Sequence, residues 1–146
     1  MRVRIELIDA SHEIGFSEWM ASENETFSFV KKSIADANSI SNLFAGILRR
    51  NLQADFEAWI VFDEARNIVG YIELKRTEKT DLDTERELIY VVKKKYRNMG
   101  YATTAVSIVL QASQFSVVAF VGSENRASIC VLKRNGFEKV LSLIHI

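Results

Sequence analysis

The sequence predicts an α/β fold with a mixed sheet, and three observations support this. Residues 58–62 and 68–75 are apolar, β-branched runs separated by a short polar turn, as in an antiparallel pair of strands. Residues 88–92 are a third such run, which a basic, glycine-bearing loop joins to a helical pattern. The apolar run at 117–121 follows that helix, so it is expected to pair in parallel with residues 88–92.

The composition restricts the class of protein. A chain of 146 residues suits a single domain, residues 1–146, with a sizeable core. Nineteen basic and nineteen acidic residues cancel, so no global basicity suggests a nucleic-acid partner. One cysteine excludes an intrachain disulfide framework, and we find no signal peptide and no apolar run long enough to span a membrane. We expect a cytoplasmic monomer or homodimer with no membrane partner.

The N-terminal residues predict a strand and then a short helix. Residues 3–7 alternate between apolar and polar side chains, which is typical of a half-buried strand. The helix is expected over residues 11–20, with Ser11 as its N-cap and His12 exposed in its first turn. No second histidine or acidic cluster lies near His12, so no metal site is expected.

Residues 26–50 carry apolar side chains at helical spacings. Asparagine and serine residues interrupt the good helix formers near residues 37–41, so we expect two helices with a break there. The aromatic side chains of this region, and Trp19 before it, are interpreted as core residues. Further along, Gly70 indicates a bulge within the run 68–75, and residues 77–84 are expected to form a polar loop.

The central segment, residues 87–113, suggests chemistry as well as structure. The basic turn 93–97 and Gly100 precede a helix that starts at Tyr101. The first N–H groups of a helix lack intrahelical partners and favour an anion, and a glycine lets another backbone approach closely. A phosphate or pyrophosphate is therefore the natural ligand. The alternative is that Gly100 is an ordinary turn residue and the basic side chains are a solvated edge.

The C-terminal part repeats the alternation of strand and helix. After the strand at 117–121, a helix is expected over residues 125–134, and Asn135 and Gly136 are typical of a helix end. Phe137 is expected to start a last strand.

Two blocks of sequence resemble one enzyme family. Residues 97–102, RNMGYA, match the R/Q-x-x-G-x-G/A signature of the GNAT acetyltransferases, and residues 125–137, NRASICVLKRNGF, resemble a second GNAT block, N-x-x-S-I-x-V-L-x-x-x-G-F. Both are most similar to the branch that acetylates ribosomal-protein N-termini. The resemblance extends over residues 61–139 and implies a mostly antiparallel sheet in which the two central parallel strands splay apart.

The resemblance also implies acetyl-CoA as co-substrate. Its pyrophosphate is expected on the N–H groups of the glycine loop, and its pantetheine arm along the central strand. The N–H of Val92 or of a neighbouring residue is expected to hold the oxyanion of the thioester carbonyl, and Asn125 is expected to cap its helix and contact the pantetheine arm. The cofactor-binding candidates are Val92, Arg97, Asn98, Gly100, Tyr101, Ala102 and Asn125.

Two residues are candidates for proton transfer. Glu87, at the head of the central strand, is the candidate base through water, although it is equally an ordinary strand-end carboxylate; Glu73 is a poorer candidate. Many GNAT enzymes have a tyrosine acid where this chain has Leu132. Ser128 matches a serine of the block and is the candidate acid, unless it only bonds its own helix. Cys130 is interpreted as a packing residue.

The acceptor is a primary amine, either a small molecule or a protein N-terminus. The alternative to an N-acetyltransferase is an acyl-CoA-binding regulatory domain with little catalysis, which Leu132 makes plausible.

Two further departures from the family pattern bear on the fold. Lys94 stands where the family often has a proline, so the loop loses stiffness. Residues 141–146 coincide with a sequencing-adapter frame, so we expect a non-native tail and a missing last strand; the alternative is a genuine strand.

Overall fold

The computed structural model describes residues 1–32, 34, 37–77, 84–121 and 124–138. The expectations of a missing last strand and of a non-native tail at residues 141–146 lie outside these ranges. So does nearly all of the polar loop expected at residues 77–84.

Five strands form one sheet within the described residues, and their order in space is their order in the sequence. They are β1 (Arg4–Leu7), β2 (Phe56–Phe62), β3 (Ile68–Lys75), β4 (Glu85–Val92) and β5 (Ser116–Val118). The first four pair antiparallel, whereas β4 and β5 pair in parallel. The predicted α/β fold with a mixed, mostly antiparallel sheet is confirmed.

The helices are α1 (Glu13–Ser22), α2 (Ser28–Lys32), α3 (Ile40–Arg50), α4 (Tyr101–Ala112) and α5 (Arg126–Arg134). The predicted break between two helices is confirmed: α3 starts afresh, with the Ser39 hydroxyl accepting a hydrogen bond from the Asn42 N–H at 3.1 Å. Within the ranges described, no helix combines the length and apolarity needed to cross a membrane.

The sheet separates two apolar clusters. The cluster on the side of α1–α3 is aromatic, and Phe16 is at its centre, with ring centroids 5.2–6.5 Å from those of Trp19, Phe27, Phe44 and Tyr71. The prediction that Trp19 is a core residue is confirmed. The cluster on the side of α4 and α5 is mainly aliphatic, and its buried members are Val61, Val69, Ile72, Leu74, Leu88, Ala105, Val106, Val109 and Leu132.

A bulge lies beside Gly70, as predicted. Val61 pairs with Gly70 but Phe62 pairs with Ile68, so Val69 is an extra residue on β3. The bulge increases the local twist of the sheet next to the end of β4.

The start of α1 corrects two expectations. Ser11 is not the cap: Asp9 Oδ1 accepts a hydrogen bond from the Ser11 N–H at 2.9 Å, and a 3-10 turn, Ala10–His12, precedes the helix. His12 is not exposed. It is buried, with Nε2 3.1 Å from Glu6 Oε1, because the turn packs against β1 rather than leading into solvent.

The end of α5 is as predicted, and the Phe137 N–H takes part in it. The Phe137 N–H donates to the Leu132 carbonyl and the Gly136 N–H to the Lys133 carbonyl, both at 3.0 Å. Gly136 has a φ of 85°. This is a Schellman motif. Phe137 and Glu138 are not part of a strand, and the rest of the strand expected to start at Phe137 lies outside the described residues.

Candidate active site

Among the described residues, β5 pairs with only the first residues of β4, 85–87, whereas β3 pairs with residues 87–92. The described ladder to β5 ends where Glu87 pairs with Val118, whereas the ladder to β3 continues to Val92. β5 is therefore shorter than the predicted strand 117–121. We call residues 85–88 the closed half of β4 and residues 89–92 its open half. The open half is half-buried along its whole length.

Alternate backbone groups of the open half point into the gap beside β5. The Lys93 N–H donates to the Val69 carbonyl at 2.8 Å. In an antiparallel ladder the preceding residue then directs its own N–H and C=O away from that partner strand. Val92 and Tyr90 accordingly present their N–H groups to the side on which β5 has left the sheet.

The N-terminus of α4 has unused N–H groups of its own. The helix follows Gly100, whose φ is 88° and which has no side chain to cap it. Asn98 also has a positive φ, 61°, which asparagine tolerates better than most residues. The Thr104 N–H bonds to the Gly100 carbonyl at 3.1 Å, so the N–H groups of residues 101–103 have no intrahelical acceptor. This helix end favours an anion.

One cleft joins these two features. It is narrow, with a cavity volume of about 10 Å³, and it is lined by Val61, Val69, Gly70, Ile72, Tyr90, Val91, Val92, Tyr101, Ala102 and Ala105. The open half of β4 and the first turn of α4 therefore face the same opening. Small residues at 70, 102 and 105 keep the backbone accessible there.

The basic loop between β4 and α4 is exposed, but two of its side chains contact the chain itself. Arg97 Nε donates to the Val92 carbonyl at 3.0 Å, and its Nη2 donates to Thr26 Oγ1 at 3.3 Å. Lys94 Nζ lies 2.7 Å from Glu25 Oε1 and lowers the pKa of that carboxyl. Arg97 is thus next to the predicted oxyanion donor as well as to the anion-binding turn.

α5 borders the gap from the other side. Asn125 Oδ1 accepts a hydrogen bond from the Ser128 N–H at 3.1 Å and caps the helix. The Ser128 carbonyl accepts one from the Tyr90 hydroxyl at 3.4 Å. Leu132 is buried in the aliphatic cluster. Cys130 is exposed, so its interpretation as a packing residue is wrong: it lies on the solvent face of the helix.

Tyr90 is a candidate that sequence reasoning missed. Its phenol reaches from the open half of β4 to α5, and burial raises its pKa. A phenol is protonated at neutral pH in any case, so Tyr90 has a proton to donate, although its burial makes it a weaker acid. A signal was present in the sequence, since Tyr90 is the one side chain with a polar tip in the apolar run 88–92.

Glu87 and Glu73 lie on the opposite face of the sheet from Tyr90. Ile89 packs on the aromatic cluster, whereas Tyr90 packs on the aliphatic one, and side chains alternate along a strand. Glu87 is buried in the closed half, next to the point where the gap opens. Glu73 is fully buried and accepts a hydrogen bond from the Tyr71 hydroxyl at 2.8 Å.

The titratable groups of the described residues do not assemble into a metal centre. Over the part of the chain that the structure describes, no group of three or more His, Cys, Asp or Glu residues could hold a metal ion. The polar groups that line the cleft are backbone groups and the phenols of Tyr90 and Tyr101.

A family comparison identifies this arrangement. A model of the acetyltransferase (GNAT) domain matches residues 2–138. The chain belongs to the GNAT acetyltransferase family. The resemblance found in the two sequence blocks is thereby confirmed, and the gap between β4 and β5 is the splay of the parallel strands that this resemblance predicted.

Solved structures of GNAT enzymes share the fold. The ribosomal-protein-S5-alanine acetyltransferase from Vibrio fischeri has a TM-score of 0.72 at 18% identity, over 95% of this chain and 81% of that one. The ribosomal L7/L12 α-N-protein acetyltransferase RimL, in complex with coenzyme A, has a TM-score of 0.73 at 13% identity, with coverages of 92% and 79%. Spermidine N-acetyltransferase from Vibrio cholerae, in complex with CoA and spermine, has a TM-score of 0.71 at 13% identity, with coverages of 92% and 79%. Comparison with curated protein sequences gives no match.

Proposed function

We propose that this GNAT domain moves an acetyl group from acetyl-CoA to a primary amine by direct attack in a ternary complex. The observation that carries the proposal is the cleft shared by the open half of β4 and the uncapped first turn of α4. Acetyl-CoA carries a pyrophosphate and, at the end of its pantetheine arm, the thioester. It therefore needs an anion site for the pyrophosphate and a strand edge for the arm. The CoA named in two of the related structures supports the same donor.

The donor is bound mainly through backbone groups. The pyrophosphate is held by the N–H groups of residues 101–103, with Arg97 and Asn98 beside them. Gly100 keeps the approach open. The pantetheine arm lies along residues 89–92 as an added strand and uses the N–H and C=O groups that β5 does not reach. Asn125, at the start of α5, contacts the arm from the far side of the gap.

The N–H of Val92 is the proposed oxyanion donor. Its direction into the gap follows from the ladder between β4 and β3. A single preorganised donor of this kind is worth roughly 2.7–4 kcal/mol of transition-state stabilisation. Holding the amine and the thioester together supplies much of the remaining acceleration, so no covalent enzyme intermediate is required.

The reaction needs one base and one acid. The amine nitrogen attacks the thioester carbon, the C–N bond forms and the C–S bond breaks. Glu87, at the boundary of the gap, takes the ammonium proton through water. The departing thiolate takes a proton from the Tyr90 phenol, which lies between β4 and α5, and Ser128 is the second candidate for this role.

The proposed acceptor is a protein N-terminal amine. An α-amine has a pKa of about 7.7–8.0, against about 10.4 for a lysine side chain, so it loses its proton more readily at neutral pH. The related structures are named for ribosomal-protein and for spermidine acetylation. A polyamine is therefore the second acceptor to be tested.

Release of free thiol in the presence of an amine panel tests the proposal. We expect turnover that depends on both acetyl-CoA and an amine, with a peptide N-terminus preferred over spermidine. The burial of Leu132 where many family members have a tyrosine favours one alternative, a domain that binds acyl-CoA without catalysis. Binding of acetyl-CoA without thiol release for any amine would support that alternative and contradict ours.

A further inference from the structure

A hydrogen bond joins the end of α1 to the loop between β4 and α4. Both carboxylate oxygens of Glu23 accept from the backbone N–H of Lys94, at 3.1 and 3.2 Å, across 71 positions of sequence. Glu23 is 8% exposed. A charge-assisted hydrogen bond is strengthened in such a poorly solvated place.

The contact supplies a cap that the loop lacks. Lys94 is the first residue of the 3-10 turn Lys94–Tyr96, and Lys93 before it makes no side-chain cap. The first N–H groups of a helical turn have no partner inside it. Glu23 therefore caps this turn from another element of the fold.

A second path from Glu23 holds the other end of the loop. The Thr26 hydroxyl donates to Glu23 Oε1 at 3.4 Å and accepts from Arg97 Nη2 at 3.3 Å. Arg97 Nε in turn donates to the Val92 carbonyl at 3.0 Å. The segment at the end of α1 thus fixes both Lys94 and Arg97.

We propose that Glu23 is a positioning residue for acetyl-CoA, because it fixes the loop that sets the first turn of α4 against the open half of β4. This inference rests on the proposed function. The chain contains no proline, so no residue of the loop has a covalently fixed φ. The Glu23 carboxylate provides the rigidity instead, and it ties the loop that binds the donor to the segment that leads into α2.

A merely structural role for Glu23 would lower stability and leave the kinetic constants unchanged. We therefore compare Glu23→Ala and Glu23→Gln with Glu25→Gln, a control whose carboxylate pairs with the exposed Lys94 side chain and not with the Lys94 backbone N–H. For Glu23→Ala we expect the KM for acetyl-CoA to rise about tenfold with kcat within about twofold, and a smaller rise for Glu23→Gln, which keeps one acceptor oxygen. The control should keep the wild-type KM. A wild-type KM in both Glu23 variants would overturn the proposal.

Lys94→Pro tests the specific hydrogen bond. Proline lacks the N–H that Glu23 accepts, and its φ suits the first position of a helical turn. Lys93 already has a ψ of 135°, which a residue before proline requires. In the Lys94→Pro background, Glu23→Ala should raise the KM no more than about twofold. A tenfold rise in both backgrounds would overturn the role of the Lys94 N–H and assign the effect to the path through Thr26 and Arg97.

Calorimetric titration with acetyl-CoA separates this inference from the proposed function. If the wild-type protein binds no acetyl-CoA, both fail. If the wild type and Glu23→Ala bind equally well, only the role of Glu23 fails. If thermal unfolding shows that Glu23→Ala does not fold, Glu23→Gln is compared with the wild type instead.

Discussion

The two halves of β4 are one continuous strand with different surroundings. The closed half, residues 85–88, pairs with β5 at residues 85–87 and with β3 at residues 87 and 88, and three of its four residues are buried. The open half keeps its ladder to β3 but has none to β5 within the described residues, and all four of its residues are half-buried. The open half is nevertheless the more apolar of the two in sequence, so composition does not explain the difference in burial.

The difference shows that the candidate site is made by the end of a strand pairing. Backbone N–H and C=O groups need partners, and in the closed half β5 supplies them on the side where the open half has no paired strand among the described residues. In the open half, Tyr90 and Val92 direct these groups to the side that β5 has left. The N-terminus of α4 opens onto the same place with a second set of donors. The proposed donor substrate completes the hydrogen bonding that the fold leaves open.

The largest expected effect comes from placing a negative charge at Gly100, before the first turn of α4. Gly100→Asp adds a side chain at a φ of 88° and a negative charge where the pyrophosphate is proposed to bind. We expect acetyl-CoA to bind about a hundredfold more weakly, roughly 2.8 kcal/mol at 1.4 kcal/mol per tenfold. Isothermal titration calorimetry measures this directly.

The matched control for Gly100 is Gly136, which has a φ of 85° and open space where a Cβ would stand. Gly136→Asp carries the same backbone strain, on the order of 1–2 kcal/mol, but lies at the far end of α5. It should lower the thermal stability and leave the affinity for acetyl-CoA unchanged. Equal losses of affinity in the two variants would mean that strain, not the anion site, explains the result.

The next effect separates the two candidate acids. Tyr90→Phe removes the phenol that spans the gap, and we expect kcat to fall by at least about tenfold, within the range of general acid catalysis. Ser128→Ala should change kcat by less, since the Tyr90 hydroxyl bonds to the Ser128 carbonyl and not to its side chain. Steady-state kinetics on both variants, with thiol release as the readout, provides the measurement. If Ser128→Ala were the slower enzyme, Ser128 and not Tyr90 would be the acid.

A smaller, pH-dependent effect is expected at the boundary between the halves. Glu87→Gln should lower turnover mostly at low pH, where the amine is protonated and a base matters most, with little change in acetyl-CoA affinity. The pH–rate profiles of the wild type and the variant provide the measurement. Parallel profiles would remove Glu87 from the mechanism and leave it as a structural carboxylate.

The smallest effect should come from the far edge of the sheet. Hydrogen bonds from Arg66 and then His12 lower the pKa of Glu6 from 4.5 to about 2. A depressed pKa gives stability that is present above pH 4.5 and is lost as the pH falls through about 2. Glu6→Gln should thus cost about 1 kcal/mol or less at pH 7, with kcat unchanged. Urea unfolding of both proteins should converge near pH 2, and a gap that persists there would contradict this account.

Local patterns explain why much of the fold could be predicted. The strand, basic loop and helix of residues 87–113 lie next to each other in the sequence, and so do the cap Asn125 and the helix end at Gly136. The features that were missed depend on distant parts of the chain. The length of β5, the burial of His12 and the bond from Glu23 to Lys94 are set by packing between elements. The proposed acidic role of Tyr90 was missed because a tyrosine in an apolar run also fits the core.

Backbone amide exchange tests the central claim most directly, because it reads the two halves of β4 separately. In hydrogen-exchange NMR with and without acetyl-CoA, we predict slower exchange at Tyr90, Val92 and residues 101–103 when acetyl-CoA is present. The Arg86 amide, in the closed half, should exchange at the same rate in both samples. Unchanged exchange at Tyr90 and Val92 in a protein saturated with acetyl-CoA would contradict the claim that the open half of β4 receives the donor.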